Sequence, residues 1–126
     1  MRHILIVEVE FIIAYNLTQY LTDLGYLVTT EVTEGENVIN LLKQENFDLI
    51  LMNIKLPGGL DGITLMNEIR TFSSIPVIYL TSVLDKMTVK RAEKTNPVGF
   101  MIKPFNYDEL GKVIKQCWKS SSDKKT

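Results

Sequence analysis

The sequence predicts a three-layer, doubly wound α/β domain in which a five-stranded parallel sheet lies between two layers formed by five helices. Five short apolar segments recur along the chain, and helical patterns separate them. Three of these segments show no polar alternation, which is typical of strands buried on both faces of a parallel sheet. With 126 residues, of which 45% are hydrophobic, the chain is long enough to build one such core.

The predicted strands are the apolar segments themselves. They cover residues 4–7, 27–30, 49–52, 77–80 and 99–102. The second segment ends in two threonines and is the most polar of the set, so we expect it nearer an edge of the sheet, where one face is less deeply buried.

Each predicted strand is followed by a helical pattern. The first helix carries an apolar stripe at helical spacing from Ile13 to Leu24, and Gly25 ends it. The last helix begins at Asn106, a favourable N-cap residue, with Glu109 at the third helical position. The remaining stripes comprise Val38, Leu41 and Leu42, then Leu65, Met66, Ile69 and Phe72, then Met87, Val89 and Ala92, and finally Leu110, Val113, Ile114, Cys117 and Trp118.

Composition excludes several classes of function. Lys and Arg total 14 against 15 Asp and Glu, a net charge of −1, so a nucleic-acid binder held by phosphate contacts is not expected. The single cysteine and the single histidine, His3, exclude a disulfide framework and a metal site built on these residue types. No apolar run reaches the ~18 residues of a membrane span and no signal peptide is apparent, so we expect a cytoplasmic protein without membrane contact. One domain is expected over residues 1–119, followed by a flexible polar tail over residues 120–126.

Polar side chains follow four of the predicted strands, at the edge where an open parallel sheet binds its ligands. Glu8 follows the first strand, Asn53 the third, Thr81 the fourth and Lys103 the fifth. Glu10 also follows the first strand, but we expect it to be an acid in the first turn of the first helix, where the helix dipole favours it. Neither a GxGxxG nor a GxxxxGK[ST] loop is present, so nucleotide binding lacks its usual sequence support.

The stretches around these strand ends resemble the receiver domain of two-component response regulators, the CheY-like fold. The resemblance extends over residues 2 to about 119, and five stretches in the expected order carry it: His3–Glu8, Phe47–Pro57, Leu60–Gly62, Ile75–Ser82 and Gly99–Phe105. It implies a flavodoxin-like sheet with strand order 2-1-3-4-5 and a role in phosphorelay signal transduction. It also implies a histidine kinase or another signalling protein as partner.

The resemblance assigns roles to individual residues. Asn53 stands at the position of the aspartate that accepts the phosphoryl group, and Thr81 and Lys103 stand at positions that contact that group. Thr81 and Phe100 match the switch pair, although we expect the apolar Phe100 to pack rather than to switch. A cis peptide bond is implied between Lys103 and Pro104.

The resemblance further implies a Mg²⁺ site formed by Glu8, Asn53 and the backbone carbonyl of Lys55. Two departures weaken it, because Val9 replaces the second acid of the pair after the first strand and an amide replaces the acceptor carboxylate. Mg²⁺ prefers hard oxygen ligands, carboxylates in particular. Glu8 and Lys103 already sum to zero charge, so we expect these two to pair and Mg²⁺ binding to be weak or absent.

Three hypotheses about function follow. The leading one is a pseudo-receiver that is not phosphorylated at Asn53, is not an enzyme, and acts through protein contacts, because an amide cannot replace the carboxylate nucleophile. The second is a phosphorylatable receiver whose acceptor aspartate has been substituted in this sequence. The third is a flavin- or nucleotide-binding protein on the flavodoxin-like fold.

The resemblance also implies where an output partner binds. The surface comprises the fourth helix, the fifth strand and the fifth helix, with Phe100, Phe105 and Tyr107 among its residues. Lysines of the last helix lie beside these aromatic residues, which suits an acidic protein partner. We expect the chain to be a monomer or a weak homodimer.

Overall fold

The structure, a computed structural model, describes residues 1–31 and 34–123, with side chains described up to residue 118. Strands and helices alternate throughout, as the sequence predicts. The elements are β1 His3–Val7, α1 Phe11–Asp23, β2 Leu27–Glu31, α2 Gly35–Gln44, β3 Leu49–Asn53, α3 Gly62–Ile69, β4 Val77–Thr81, α4 Lys86–Glu93, β5 Gly99–Ile102 and α5 Tyr107–Asp123, with a short 3₁₀ helix at Pro57–Gly59.

The five strands form one parallel sheet in the order β2-β1-β3-β4-β5, so the predicted topology is confirmed. β2, the most polar strand, lies at an edge, as its composition predicts. β3 and β4 are buried at every position, which explains why their sequences show no alternation. The carboxyl ends of all the strands therefore meet along one edge of the sheet, here called the rim.

Two separate cores cover the faces of the sheet, because successive strand residues point to opposite sides. α1 and α5 pack on one face, and α2, α3 and α4 pack on the other. The first core is built on Ile4, Ile6, Leu49, Leu51, Ile78 and Leu80, and the second on Leu5, Val7, Ile50, Met52, Val77 and Tyr79.

Some helix boundaries differ from the predicted stripes. α1 begins at Phe11, ahead of the first core-facing residue of its stripe, and ends at Asp23. α3 ends at Ile69, so Phe72 lies outside it and is partly exposed, with the ammonium group of Lys43 5.0 Å from its ring centroid. The apolar spacing of Phe72 wrongly predicted a helical residue, because the chain passes into a tighter turn after Ile69, where the N–H groups of Thr71 and Phe72 donate to carbonyl oxygens three residues back.

The last helix begins as predicted, with the Asn106 Oδ1 atom accepting the backbone N–H of Glu109 at 3.0 Å. It continues to Asp123, so it includes the first residues of the predicted tail; residues 124–126 lie outside the described residues, and the domain boundary stays a prediction. Within the described residues, no helix is both long and apolar enough to cross a membrane.

Gly62 brings α3 close to the rim. Its backbone N–H donates to the carbonyl oxygen of Ile54 at 2.6 Å, and a Cβ atom at this position would collide with the carbonyl oxygen of Asn53. Asp61 caps the helix from the preceding position by accepting the N–H groups of Ile63 and Thr64 at 2.7 and 3.2 Å. The start of α3 is thereby fixed directly beside the end of β3.

Candidate functional site

The rim carries a cleft of about 840 Å³. Asn53, Thr81 and Lys103 line it, together with Val9 and Glu10 from the loop after β1. The sequence therefore predicted correctly that the residues following separate strands meet at one place. The other walls come from the loops after β3 and β4, and the residues that complete the lining are Ile54, Lys55, Leu56, Pro57, Gly59, Leu60, Asp61, Ser82, Val83 and Thr88.

The Asn53 side chain is buried and makes hydrogen bonds with both ends of its amide. Its Nδ2 atom donates to the Lys55 carbonyl oxygen at 2.7 Å and to the Glu8 Oε2 atom at 3.2 Å. Its Oδ1 atom accepts from the Lys103 Nζ atom at 3.3 Å. These partners fix the orientation of the amide, because two acceptors face one end and an ammonium group faces the other.

Glu8 and Lys103 form a buried ion pair, as the sequence predicts. The Lys103 Nζ atom lies 2.6 Å from the Glu8 Oε1 atom; the glutamate side chain is fully buried and the lysine side chain is 10% exposed. The second carboxylate oxygen of Glu8 accepts the backbone N–H of Glu10 at 3.0 Å as well as the Asn53 amide. We call Glu8, Asn53 and Lys103 the rim cluster; its one negative and one positive charge balance.

Glu10 lies closer to this cluster than the sequence suggested. It occupies the N-cap position of α1, close to its predicted place in the first turn, but its side chain makes no capping hydrogen bond. Instead its Oε1 atom lies 3.6 Å from the Lys103 Nζ atom, with the side chain 59% exposed. The available signal in the sequence was a second acid two residues after Glu8.

Thr81 lies in the same cleft but does not join the rim cluster. Its hydroxyl donates to the Val83 carbonyl oxygen at 2.9 Å and accepts the Val83 N–H at 3.3 Å, so it is engaged within its own loop. Its backbone carbonyl accepts the N–H of Lys103 at 2.8 Å, which ties the ends of β4 and β5 together. The peptide bond between Lys103 and Pro104 is cis.

A second buried polar group lies beneath α4, and the sequence reasoning missed it. The Tyr79 hydroxyl and the Thr95 hydroxyl are 2.6 Å apart, and the Thr95 hydroxyl also donates to the Ala92 carbonyl at 2.6 Å. The Arg70 Nε atom donates to the Thr95 carbonyl at 2.8 Å. We call Arg70, Tyr79 and Thr95 the tyrosine cluster. The available signal was a tyrosine inside an otherwise apolar strand, since a buried tyrosine needs a partner for its hydroxyl.

Phe100 packs against this second cluster. Its ring stacks on that of Tyr79 with centroids 5.7 Å apart and an interplanar angle of 24°, and the side chain is half-buried. Burial raises the pKa of the Tyr79 phenol, although the Thr95 hydrogen bond and the Arg70 charge oppose that effect. The packed position agrees with what the apolar side chain predicts, and nothing here tests a switching role.

The other two aromatic residues of the predicted output surface are also partly buried. The rings of Phe105 and Tyr107 meet edge to face at 5.4 Å, and Tyr107 lies 5.3 Å from Tyr20 of α1. Both pack against the core that α1 and α5 share. They therefore join the start of α5 to α1, and only part of each ring faces solvent.

Asp61 lines the cleft from the α3 side and was not recognised as a site residue. Its Oδ2 atom lies 3.1 Å from the Arg91 Nη1 atom, a contact that ties α4 to the start of α3. Partial burial raises the pKa of this carboxyl, but the hydrogen bonds from Arg91, Thr64 and Ile63 outweigh burial and leave it below the usual value. Among the described residues, no three His, Cys, Asp or Glu side chains are grouped so that they could hold a metal ion.

Comparison with known proteins agrees with this geometry. The family model described as "Response regulator receiver domain" matches residues 4–115, nearly the whole folded part of the chain. The chain belongs to the response regulator receiver family. This assignment favours the receiver hypotheses over a flavin- or nucleotide-binding protein.

Several curated regulatory proteins resemble the chain. It is 30% identical over 114 residues to the transcriptional regulatory protein PdtaR of Mycobacterium tuberculosis, covering 90% of this chain and 55% of that protein. It is 34% identical over 125 residues to KdpE of Staphylococcus aureus, covering 95% and 52%. The chain thus spans about half the length of these relatives.

Solved receiver structures superpose closely. A signal receiver domain of a modulated diguanylate cyclase from Desulfovibrio desulfuricans G20 matches with a TM-score of 0.83 and 32% identity, covering 92% of both chains. A two-component response regulator from Clostridium difficile matches with a TM-score of 0.88 and 25% identity, covering 94% of this chain and 97% of that one. The receiver fold therefore extends over almost the whole chain.

Proposed function

We propose that this receiver domain acts in two-component signalling through protein contacts, without phosphorylation at residue 53. The rim cluster holds the geometry of those contacts constant. It is a signalling partner and not an enzyme. Its partners are a histidine kinase or another signalling protein, and its output partner binds at α4, β5 and α5. Family membership favours a cytoplasmic site of action.

The observation that carries this proposal is the pair of hydrogen bonds from the Asn53 Nδ2 atom. The Glu8 carboxylate and the Lys55 carbonyl, its two acceptors, are oxygen groups that the receiver pattern associates with a cation. The amide hydrogens take that place here, since an N–H donor satisfies a carboxylate and a carbonyl oxygen at once. An aspartate at 53 would instead place an oxygen 2.7 and 3.2 Å from these oxygens, where it would be repelled.

Residue 53 also lacks the nucleophile that phosphorylation requires. An acyl phosphate forms when a carboxylate oxygen makes a bond to phosphorus, and the neutral amide of Asn53 offers no such oxygen. The neighbours, Met52 and Ile54, carry no hydroxyl that could replace it. Thr81 engages its hydroxyl within its own loop.

The donor set does not fit Mg²⁺, which needs near-octahedral oxygen ligands and usually carboxylates. One Glu8 oxygen is paired with Lys103, and the other accepts two N–H groups. Val9 supplies no ligand, and the Lys55 carbonyl is occupied by the Asn53 amide. We therefore propose that Mg²⁺ binds weakly or not at all.

The test is intact-mass spectrometry after incubation with Mg²⁺ and a small acyl-phosphate donor. We expect no phosphoryl adduct on the unaltered chain, little on Asn53→Asp, and an adduct on Asn53→Asp combined with Val9→Asp, because only the double variant regains both carboxylates. The exposed Asn67 offers a matched control, since Asn67→Asp makes the same chemical change outside the cleft and is expected to gain nothing.

The second hypothesis, a phosphorylatable receiver with a substituted acceptor, predicts a different result. There Asn53→Asp alone restores full Mg²⁺-dependent phosphorylation, and Val9 is unimportant. An adduct on the unaltered chain, mapped to any residue of the cleft, would overturn both hypotheses. Peptide mapping of the modified residue separates these cases.

A further inference from the structure

Three oxygen atoms from separate parts of the rim face a single nitrogen atom, the Lys103 Nζ. The Glu8 Oε1 atom lies 2.6 Å from it, the Asn53 Oδ1 atom 3.3 Å and the Glu10 Oε1 atom 3.6 Å. An ammonium group is a compact positive charge that donates hydrogen bonds and accepts none. The surroundings of this ammonium group are therefore those of a bound cation.

The Glu8 carboxylate depends on that positive charge. Its Oε1 atom is buried and accepts no hydrogen bond from the described residues, so the Lys103 charge, 2.6 Å away, compensates for the water that this oxygen has lost. The Oε2 atom, in contrast, accepts the Glu10 backbone N–H and the Asn53 amide. What the Oε1 atom requires is thus a cation rather than a further N–H donor.

Glu10 makes this arrangement more than a simple ion pair. Two carboxylates, those of Glu8 and Glu10, face one ammonium group, so one negative charge is left for water to screen, and the Glu10 side chain is 59% exposed. The Glu10 backbone N–H, donated to Glu8, holds the two acids side by side. Val9 lies between them and lines the cleft without offering a ligand atom, so Glu10 supplies the second carboxylate.

We propose that the Lys103 ammonium group is the resident cation of the rim, and that the same oxygens bind a divalent cation once the ammonium group is removed. The inference rests on the proposed function, in which the donor set of the unaltered chain does not hold Mg²⁺. It adds the reason, because the lysine fills that place from within the chain. Freed of Lys103, two carboxylates and one amide oxygen are hard ligands of the kind that Mg²⁺ and Mn²⁺ accept.

The first experiment removes the ammonium group and supplies a metal ion. Lys103→Ala takes away the charge and shortens the side chain, which opens the place of the ammonium group. Urea unfolding, followed by Trp118 fluorescence, is measured with and without about 10 mM MgCl₂ or MnCl₂ at constant ionic strength. With a dissociation constant on the order of 1 mM, the folding equilibrium constant of Lys103→Ala should rise about tenfold, and that of the unaltered chain less than about twofold.

Three variants separate a cation site from a general effect of salt. Lys103→Met loses the same charge but fills the place with an apolar side chain, so it should respond much less than Lys103→Ala. Lys103→Ala combined with Glu10→Gln lacks the second carboxylate and should lose most of the response. Lys55→Ala removes an exposed lysine that also lines the cleft, and it should not respond.

The outcome stays decisive if Lys103→Ala is unfolded without a metal ion, because folding on addition of Mg²⁺ or Mn²⁺ is then the readout, measured by far-ultraviolet circular dichroism. A Lys103→Ala chain that neither ion stabilises overturns the proposal. A response of equal size in Lys103→Met or in Lys55→Ala also overturns it, since the ions would then act without the place that Lys103 leaves.

Nuclear magnetic resonance of the lysine ¹⁵N-ammonium groups tests the unaltered chain directly. An ammonium group that is buried among oxygens exchanges its hydrogens with water slowly, so Lys103 should give a persistent signal and the exposed Lys55 should give none. Addition of about 10 mM Mg²⁺ should leave the Lys103 signal in place. A signal that Mg²⁺ shifts or removes, or that is absent from the start, overturns the proposal.

Neither measurement uses a phosphoryl donor, so the two proposals fail in different experiments. A phosphoryl adduct at residue 53 overturns the proposed function, and it leaves the metal response of Lys103→Ala to be read separately. Absence of that response removes the resident-cation inference, whereas the unaltered chain can still lack phosphorylation because Asn53 offers no carboxylate oxygen.

Discussion

The rim cluster and the tyrosine cluster are two buried polar groups that solve the same physical problem differently. In the rim cluster, a carboxylate and an ammonium group balance across 2.6 Å, with the Asn53 amide bridging them. In the tyrosine cluster, neutral hydroxyls bond each other at 2.6 Å, and a guanidinium group donates to a backbone carbonyl. Both satisfy the rule that a buried polar atom needs a partner.

The difference lies in what each cluster faces. The rim cluster borders an open cleft, and full charges hold it together. Removing one of its two charged members therefore leaves the other buried without its partner. The tyrosine cluster lies under α4, away from the lining of the cleft. Removing one of its members leaves an unpaired neutral group, either a hydroxyl or the Thr95 carbonyl. Burial alone does not mark a site of function, whereas buried charge beside a cleft does.

The largest expected effect comes from removing the positive charge of the rim cluster. Lys103→Met leaves the Glu8 carboxylate fully buried without its ion-pair partner, and we expect the free energy of unfolding to fall by about 3–5 kcal/mol. Urea unfolding followed by the fluorescence of Trp118 measures the change. The exposed Lys55, in the neighbouring loop, provides the control: Lys55→Met should change stability by less than about 0.5 kcal/mol.

A double variant separates lost charge from lost packing. Adding Glu8→Gln to Lys103→Met removes the stranded carboxylate, so most of the loss should be recovered. If Lys103→Met costs no more than Lys55→Met, or if the double variant is worse than the single one, the ion pair does not dominate the stability of the rim cluster.

The two clusters also differ in how well sequence reasoning finds them. The sheet and its order follow from apolar segments such as residues 49–52, because hydrophobic periodicity is a local property. The meeting of Glu8 and Lys103 followed from one further rule, that the ends of parallel strands converge. That rule places residues at an edge but does not say which atoms touch.

The features of the site that the sequence did not predict depend on contacts that have no local sequence pattern. The direction of the Asn53 amide is set by the Lys55 carbonyl, whose position depends on the loop after β3. The bond between Tyr79 and Thr95 joins residues from a strand and a helix end, and no spacing rule relates them. Phe72 shows the opposite error, since its helical spacing was real but the chain turned before it.

The tyrosine cluster gives an intermediate effect, and the order of two substitutions tests its geometry. Thr95→Val strands the buried Tyr79 hydroxyl, so we expect a loss of about 1–3 kcal/mol of unfolding free energy. Tyr79→Phe leaves the Thr95 hydroxyl bonded to the Ala92 carbonyl, so the loss of unfolding free energy should be about 1 kcal/mol. Urea unfolding of both single variants and the double variant measures the coupling. Equal losses, with no coupling, would contradict the hydroxyl contact.

The smallest expected effect is a dependence of stability on alkaline pH that belongs to the tyrosine cluster alone. Burial holds the pKa of Tyr79 in the folded protein above its ordinary value of 10.0. The folded state therefore keeps its proton at a pH where the unfolded chain has begun to lose it. The contribution of Tyr79 is fully present below about pH 10 and is lost as the pH rises through the folded pKa.

Tyr79→Phe removes that dependence, so the stability of the unaltered chain should fall relative to the variant between about pH 9 and about pH 11. Tyr26 and Tyr107, whose pKa values burial also raises, are present in both proteins and drop out of the difference. Tyr15→Phe, which removes an exposed hydroxyl, should show the same decline of stability with rising pH as the unaltered chain. Parallel curves of unfolding free energy against pH for the unaltered chain and Tyr79→Phe would mean that water reaches the Tyr79 hydroxyl in the folded state. The contrast between the two clusters would then be lost.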